Sequence, residues 1–379
     1  MAGQVLFSAE QIQLINITPE TGLSLVGIGF AGGLLSGFLG TGGGFVMTPA
    51  MMSLGIPGIM AVAANMAHKF GKSVIGSIKY DEFGGVDKKL GLIMFSALIA
   101  GVKLAVTVNK RILDAAGVAA SNLYISIIFV FILAGVSVFI FRDIIEQRAC
   151  KQGRGPRTGK AAGWVKRINL PPLIYFKVAG TRASLWPALA VGFATGFLAG
   201  TIGGGGFIGI PAMVYLLGVP IPVAAGTGIF LAIFSGMQGT FLYAVDGYVD
   251  VRIPLLLYLG SIVGVTLGAV GSRVVRPSQI KLVMALIMAM VVFSRASTVP
   301  VYLTELGYLA LAPGAVSAFN LIGKVFLFGS GLAGCALILF WILKALAENR
   351  STTAGGAIPR PDKPAPRHYT PAGTGRPGR

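Results

Sequence analysis

The segment ANMAHKFGKSVIGSIKY, residues 64–80, places polar side chains where they could do chemistry within an apolar chain. Asn65, Lys69 and Lys72 recur at helical spacing, and His68 lies one turn before Lys72, so the four share one helix face. Ammonium groups attract anions, and histidine is the side chain that most readily exchanges a proton near neutral pH. This face predicts a small-anion site, with His68 as the candidate for a coupling proton. The alternatives are that the lysines extend to a membrane interface and that His68 is a hydrogen-bonded packing residue.

Composition places this face inside a membrane. The chain is 54% hydrophobic and 12% charged, with a mean hydropathy of +0.79, far from the averages of soluble proteins. Apolar runs long enough to cross about 30 Å of hydrocarbon recur along it. A helix satisfies its own backbone in lipid, so we expect an all-α polytopic integral membrane protein.

Glycine-rich segments interrupt two of the apolar runs. They read GGGFVMTPAMMSLGIP at 42–57 and GGGFIGIPAMVYLLGVP at 204–220. Non-helical backbone at membrane depth is tolerated only where protein buries it or where it lines a wet cavity. Each break begins a short new helix, whose free amides carry partial positive charge and bind anions. The alternative is that the glycines only allow helices to pack closely.

The two breaks belong to a longer internal repeat. Beyond the proline that ends each motif the register holds at +163, with Gly, Pro, Tyr and Asp residues aligned. The second copy carries neutral donors, Thr227, Ser235 and Gln238, in the region that matches the cationic face. We therefore add these three residues to the predicted substrate site.

The repeat predicts the domain organisation. The chain divides into an N-terminal segment at 1–21, membrane repeat 1 at 22–141, a basic cytoplasmic linker at 142–185, membrane repeat 2 at 186–299, a loop with an extra C-terminal transmembrane helix at 300–347, and a flexible basic cytoplasmic tail at 348–379. In repeat 1 we predict helices near 22–40, 44–55, 58–78, 90–109 and 122–141, and we place the extra helix near 316–346. Basic segments face the cytoplasm if each half crosses five times, which favours inverted repeats. Whether the short segments cross or re-enter is left open.

Charge and cysteine content narrow the function class. The linker and tail hold sixteen of the 31 Lys and Arg residues, so positive-inside topology explains the net charge and no nucleic-acid partner is expected. With two cysteines, two histidines, no clustered metal ligands and no P-loop, we expect no enzyme activity, cofactor, metal or ATP drive. The expected partners are a small anionic substrate and membrane lipid, and a homo-oligomer is left open.

The duplicated glycine-proline motif, followed by AVAAN or AAGT and later by VD, resembles the sulfite exporter TauE/SafE family of membrane permeases. The resemblance implies a multi-pass protein of the cell inner membrane that exports small sulfur-containing anions such as sulfite, sulfonates or sulfoacetate. It implies that the passage is lined by the motif positions Gly42, Gly43, Gly44, Pro49, Gly204, Gly205, Gly206 and Pro211. The roles of His68, Lys69 and Lys72 rest on the residues alone. We expect a secondary transporter; an anion channel and an uptake permease are the alternatives.

Overall fold

A computed structural model describes residues 15–39, 43–82, 84–151, 170–275 and 277–353. In these ranges the chain forms the helices α1 Pro19–Leu39, α2 Gly44–Ser53, α3 Gly58–Glu82, α4 Lys88–Lys151, α5 Leu185–Ile202, α6 Gly206–Leu216, α7 Ile221–Val245, α8 Arg252–Val274, α9 Pro277–Glu305 and α10 Pro313–Thr353. An antiparallel hairpin of β1 Leu173–Phe176 and β2 Thr181–Ser184 precedes α5.

Six of the described helices are long and apolar enough to cross a membrane: α1, α4, α5, α7, α9 and α10. Two shorter apolar helices, Gly206–Leu216 and Arg252–Gly268, accompany them. The expectation of an all-α, multi-pass membrane protein is therefore confirmed at this level. The short hairpin is an addition that the sequence analysis did not predict.

A single glycine bends the longest helix. The apolar part of α4, Lys88–Glu146, contains 59 residues, about 90 Å if it were straight, which is far more than one crossing needs. Gly117 has φ 76° and ψ −174°, a conformation open essentially to glycine alone, and it divides α4 into arms at 88–116 and 118–151. An interruption was predicted between 109 and 122, and Gly117 lies within that interval; the break is narrower than predicted, since the residues on both sides of Gly117 are helical.

Other predicted boundaries differ from the observed elements. The predicted linker at 142–185 begins inside α4, which continues to Lys151, and it contains the hairpin. Helix α9 continues through the boundary predicted at 299, and α10 reaches Thr353. The predicted flexibility of 152–169 and 354–379 lies outside the described residues, as does most of the N-terminal segment.

Glycines allow the long helices to approach backbone to backbone. A Cβ added to Gly29 of α1 would overlap the carbonyl of Leu257 in α8, and one added to Gly192 of α5 would overlap the carbonyl of Met94 in α4. Small residues commonly permit such approach between membrane helices. The bundle therefore rests on two close pairs, α1 with α8 and the first arm of α4 with α5.

Two buried carboxylates, each at the start of a helix, accept hydrogen bonds from distant segments of the chain. Asp87 caps α4 by accepting from Leu90 N–H at 3.0 Å, and its other oxygen accepts from Ala179 N–H at 3.0 Å. Asp250, just before α8, accepts from Ile15 N–H at 3.2 Å and from the Arg252 guanidinium at 2.7 Å. Burial alone would raise the pKa of Asp250, but the hydrogen bonds and charge of Arg252, with the Ile15 amide, hold that pKa below its usual value.

Candidate functional site

The two glycine breaks have backbone conformations that explain their composition. Gly43, just before α2, has φ 66°, and Gly203, just after α5, has φ 80°. Both values lie in the left-handed region, where glycine has no steric penalty. A Cβ on Gly43 or on Gly205 would also overlap a backbone carbonyl, that of Gly32 or that of Thr195. Gly42, also predicted to bind substrate, lies outside the described residues.

The breaks meet in the interior of the protein. A Cβ on Gly44 would lie 2.9 Å from the Gly203 carbonyl oxygen and 3.2 Å from Gly204 Cα. The first side chains of the two short helices, Phe45 and Phe207, are fully buried and pack edge to face with ring centroids 6.0 Å apart. The N-terminal amides of α2 and α6, which a helix leaves without intrahelical partners, therefore start from one shared region.

A chain of hydrogen bonds links both breaks to α3. Asn65 Nδ2 donates to Thr48 Oγ1 at 2.8 Å and to the Gly44 carbonyl at 3.2 Å. Thr48 Oγ1 in turn donates to the carbonyl of Ile202, the last residue of α5, at 3.0 Å. The bond to Ile202 satisfies a carbonyl that the end of α5 leaves free, and the bonds from Asn65 join α3 to the start of α2, so Asn65 and Thr48 position the breaks. Asn65 Oδ1 is buried and has no partner among the described residues.

His68 is fully buried between α3 and α8. Its Nε2 lies 2.7 Å from Ser261 Oγ, and its ring contacts Tyr258 with centroids 4.7 Å apart. The other ring nitrogen, Nδ1, is buried and has no hydrogen-bond partner in the part of the chain that the structure describes. One nitrogen therefore fixes the ring, and the other remains able to bind a proton or a ligand.

The two lysines of the predicted face have different surroundings. Lys72 Nζ donates to Ser36 Oγ of α1 at 2.9 Å. Lys69 is only 4% exposed, and no hydrogen bond or ion pair joins its Nζ to any described residue. A buried ammonium group without a counter-ion is unfavourable, so an anion beside Lys69 would remove an existing penalty.

The structure does not place the second half's neutral donors at the breaks. Thr227 Oγ1 accepts the Asp87 N–H at 3.1 Å, at the start of α4. Ser235 Oγ donates to the Ala232 carbonyl at 3.3 Å, and Gln238 Nε2 donates to the Ile99 carbonyl at 3.0 Å. The described hydrogen bonds of these three side chains are thus made within the helix bundle.

The motif prolines lie inside the short helices. Pro49 lies within α2 and Pro211 within α6, each four residues after a phenylalanine. Proline supplies no N–H, so the carbonyls of Phe45 and Phe207 lose their usual intrahelical donors. Of the remaining motif positions, Gly204 is buried beside Phe45 and Gly206 begins α6.

Sequence reasoning missed several residues around this site. Tyr258 and Ser261 contact His68 from α8, and Ser36 contacts Lys72 from α1. Their spacing within apolar helices carries little signal, because single hydroxyls are common there. Arg295 was also missed, although an arginine in an apolar helix is a functional candidate on the same grounds as Lys69.

Metal-ligating side chains do not cluster in the part of the chain that the structure describes. Within the described ranges, no group of three His, Cys, Asp or Glu side chains is placed to hold a metal ion. The described residues instead include helix N-terminal amides and the buried Lys69, and positive groups of both kinds attract anions.

Comparison with known proteins agrees with a membrane role. The chain is 25% identical over 276 residues to "Probable membrane transporter protein YunE" of Bacillus subtilis (strain 168), covering 70% of this chain and 94% of YunE. It is 26% identical over 244 residues to "Probable membrane transporter protein YdhB" of the same organism, covering 62% of this chain and 84% of YdhB. No solved structure matches. The profile of the sulfite exporter TauE/SafE family matches residues 25–295, well over half of the chain, and the protein therefore belongs to that family.

Proposed function

We propose that the protein is a secondary transporter that exports a small anion, a sulfur oxyanion or organosulfonate such as sulfite or sulfoacetate, across the cell inner membrane. The observation that carries the proposal is the buried Lys69, without a described counter-ion, on the helix that Asn65 ties to the meeting glycine breaks. Membership of the family and the names of the relatives support transport. The sulfur-containing substrate and the outward direction are part of the proposal.

In this proposal the anion binds between the starts of α2 and α6. The amides of Gly44 and Gly206 donate to its oxygens, and Lys69 supplies the compensating charge. His68 Nδ1 carries the proton that couples transport to the proton gradient. Substrate release follows when the breaks separate, because the amides of one short helix alone bind the anion more weakly than both together.

We propose further that the bundle consists of two inverted repeats. Gly29 contacts Leu257, and Gly192 contacts Met94. The two contacts are equivalent, because Gly192 follows Gly29 by 163 positions and Leu257 follows Met94 by the same number. These paired contacts support the proposed repeat, with α1 packed on the second half and α5 on the first.

The central helix pair supports inversion. A Cβ on Gly239 of α7 would meet Met66 of α3, one on Gly236 would meet Phe70, and one on Gly76 would meet Ile229. Residue numbers rise along α3 as they fall along α7, so the two helices are antiparallel. Equivalent helices run antiparallel when repeats are related by an axis in the membrane plane.

Flux into proteoliposomes tests the proposed function. Purified protein is reconstituted with sulfite, sulfoacetate and chloride in separate preparations, and flux is measured with and without anion on the opposite side. A carrier shows saturable flux that anion on the opposite side accelerates. Non-saturating flux without countertransport would instead identify an anion channel, and substrate accumulation only in the inward direction would identify an uptake permease.

A further inference from the structure

A polar cavity lies at the other end of α2 from the glycine break. It has a volume of about 210 Å³ and is bounded by Met52 and Ser53 at the end of α2, by α9, and by Asn320 and Lys324 of α10. One water needs roughly 10–15 Å³ on this measure, so the cavity has room for a small ion with several waters. Ser53 lies nine residues after Gly44, about 14 Å along a helix, so this cavity is separate from the breaks.

Arg295 of α9 lines this cavity and is only 1% exposed. Its Nη2 donates to Ser53 Oγ at 2.7 Å and lies 3.4 Å from Ser294 Oγ. Its Nε and Nη1 are buried and have no acceptor with hydrogen-bond geometry among the described residues. The Tyr302 side chain interacts with this guanidinium, but a buried guanidinium whose Nε and Nη1 lack well-formed hydrogen bonds is unfavourable unless a ligand accepts them.

The rest of the lining also suits an anion. Lys324 adds a second positive charge, while Thr298, Tyr302 and Asn320 contribute hydroxyl and amide groups. None of the lining residues is acidic; Glu305 lies three positions beyond Tyr302, at the exposed end of α9. The C-terminal end of α2 carries a partial negative charge of about half a unit, which two full positive charges outweigh.

We propose that this cavity is a second anion site, in which Arg295 and Lys324 bind a small oxyanion. Guanidinium nitrogens match the oxygens of sulfur and phosphorus oxyanions in geometry as well as in charge. A free oxyanion and the phosphate of an anionic lipid share this chemistry, so either can supply the ligand. The site goes beyond the proposed transport function, since it does not require that its anion be carried across the membrane.

Binding to the purified full-length protein tests this site without a transport assay. In detergent, titration calorimetry with inorganic sulfate and with phosphate measures free-anion binding to a K69Q protein, in which the break site is weakened. In nanodiscs, native mass spectrometry compares retention of phosphatidylglycerol with that of phosphatidylcholine. Each measurement is repeated after adding K324Q, which changes an exposed side chain and leaves the core intact, and after adding R295K.

We expect K324Q and R295K each to weaken at least one of the two interactions, free oxyanion or phosphatidylglycerol, by about tenfold or more, because charge-assisted hydrogen bonds contribute roughly 1.5–3 kcal/mol. K103Q, at an exposed lysine of α4, is the matched control and should leave both interactions unchanged. Loss confined to the calorimetry identifies a free anion, and loss confined to the nanodiscs identifies a lipid. Unchanged binding of both in K324Q and R295K would overturn the proposal, whatever the transport assay shows.

Discussion

The hydroxyl of Tyr258 lies within the hydrogen-bond ladder of α3. It accepts the Gly71 N–H at 3.0 Å and donates to the Ala67 carbonyl at 3.0 Å, so it bridges the two groups that an undisturbed helix would join directly. A side chain inserted in this way is a recognised cause of helix bending. The insertion lies beside His68 and Lys69, and it couples α8 to the helix that carries the proposed anion site.

Replacing Gly71 should reveal this coupling. An alanine Cβ at Gly71 would overlap the Tyr258 hydroxyl and approach its Cζ to 3.1 Å, so G71A should destabilise the protein by about 1–3 kcal/mol. In a Y258F background part of that overlap is removed, so the same change should destabilise less. Thermal unfolding of the four proteins in detergent forms a double-mutant cycle, and additive effects would show that the hydroxyl and Gly71 are not coupled.

Lys69 should be required for transport. K69Q and K69M retain much of the side-chain volume and remove the charge, so we expect anion flux in proteoliposomes to fall by about tenfold or more, the size of one lost charge-assisted hydrogen bond. K103Q, at an exposed lysine of α4, is the matched control and should transport normally. Normal flux in both Lys69 variants would exclude a central role for this cation.

The glycines of the breaks should tolerate no side chain. An alanine at Gly203 would be strained at φ 80°, and its Cβ would lie 2.9 Å from Thr48 Oγ1 and 2.6 Å from Asn65 Nδ2. Left-handed backbone costs about 1–2 kcal/mol and overpacking about 1–3 kcal/mol more, so G203A should lower the unfolding temperature and the flux together. G27A is the control, because nothing lies within 4 Å of a Cβ at that helical position. Equal behaviour of the two variants would argue against a closely packed break.

These contacts show which features the sequence could predict. The breaks were predictable because Gly and Pro act locally on the backbone, and the face of α3 was predictable because helical spacing alone defines it. The hydrogen bond between Thr227 and Asp87 could not be predicted, because the two residues lie 140 positions apart and no local pattern indicates that they meet. The break in α4 was predicted in the right interval, but the predicted gap of 110–121 was too wide, because one glycine, Gly117, is enough to interrupt the helix. Arg295 was predictable in principle, because a charged side chain within an apolar helix is itself a functional signal.

His68 should separate coupling from binding. H68Q keeps a hydrogen-bonding side chain but cannot carry a proton near neutral pH, so we expect anion exchange across proteoliposomes to continue while accumulation driven by a pH gradient is lost. S261A removes the hydrogen-bond partner of His68 Nε2 but keeps the histidine. It therefore measures the effect of loosening the ring alone, and it should retain pH-driven accumulation. If H68Q accumulates anion under a pH gradient as the wild type does, the coupling proton lies elsewhere.

Asp250 should give the protein a stability that disappears in acid. The pKa of its carboxyl is held below the ordinary value because the hydrogen bonds and charge of Arg252, with the Ile15 amide, outweigh the opposing effect of burial. A depressed pKa means that the carboxylate stabilises the fold fully above the unfolded value near 3.9, and that this contribution is lost as the pH falls through the lower, folded value. D250N should therefore unfold at a lower temperature than the wild type at pH 7, by the equivalent of about 1–2 kcal/mol, with the difference shrinking below about pH 4. Thermal unfolding in detergent from pH 3 to pH 7 measures the difference in unfolding temperature between D250N and the wild type. D114N, at an exposed carboxylate of α4, is the control and should unfold as the wild type does. A D250N deficit that stays constant down to pH 3 would show that the charge of Asp250 does not hold the start of α8 in place.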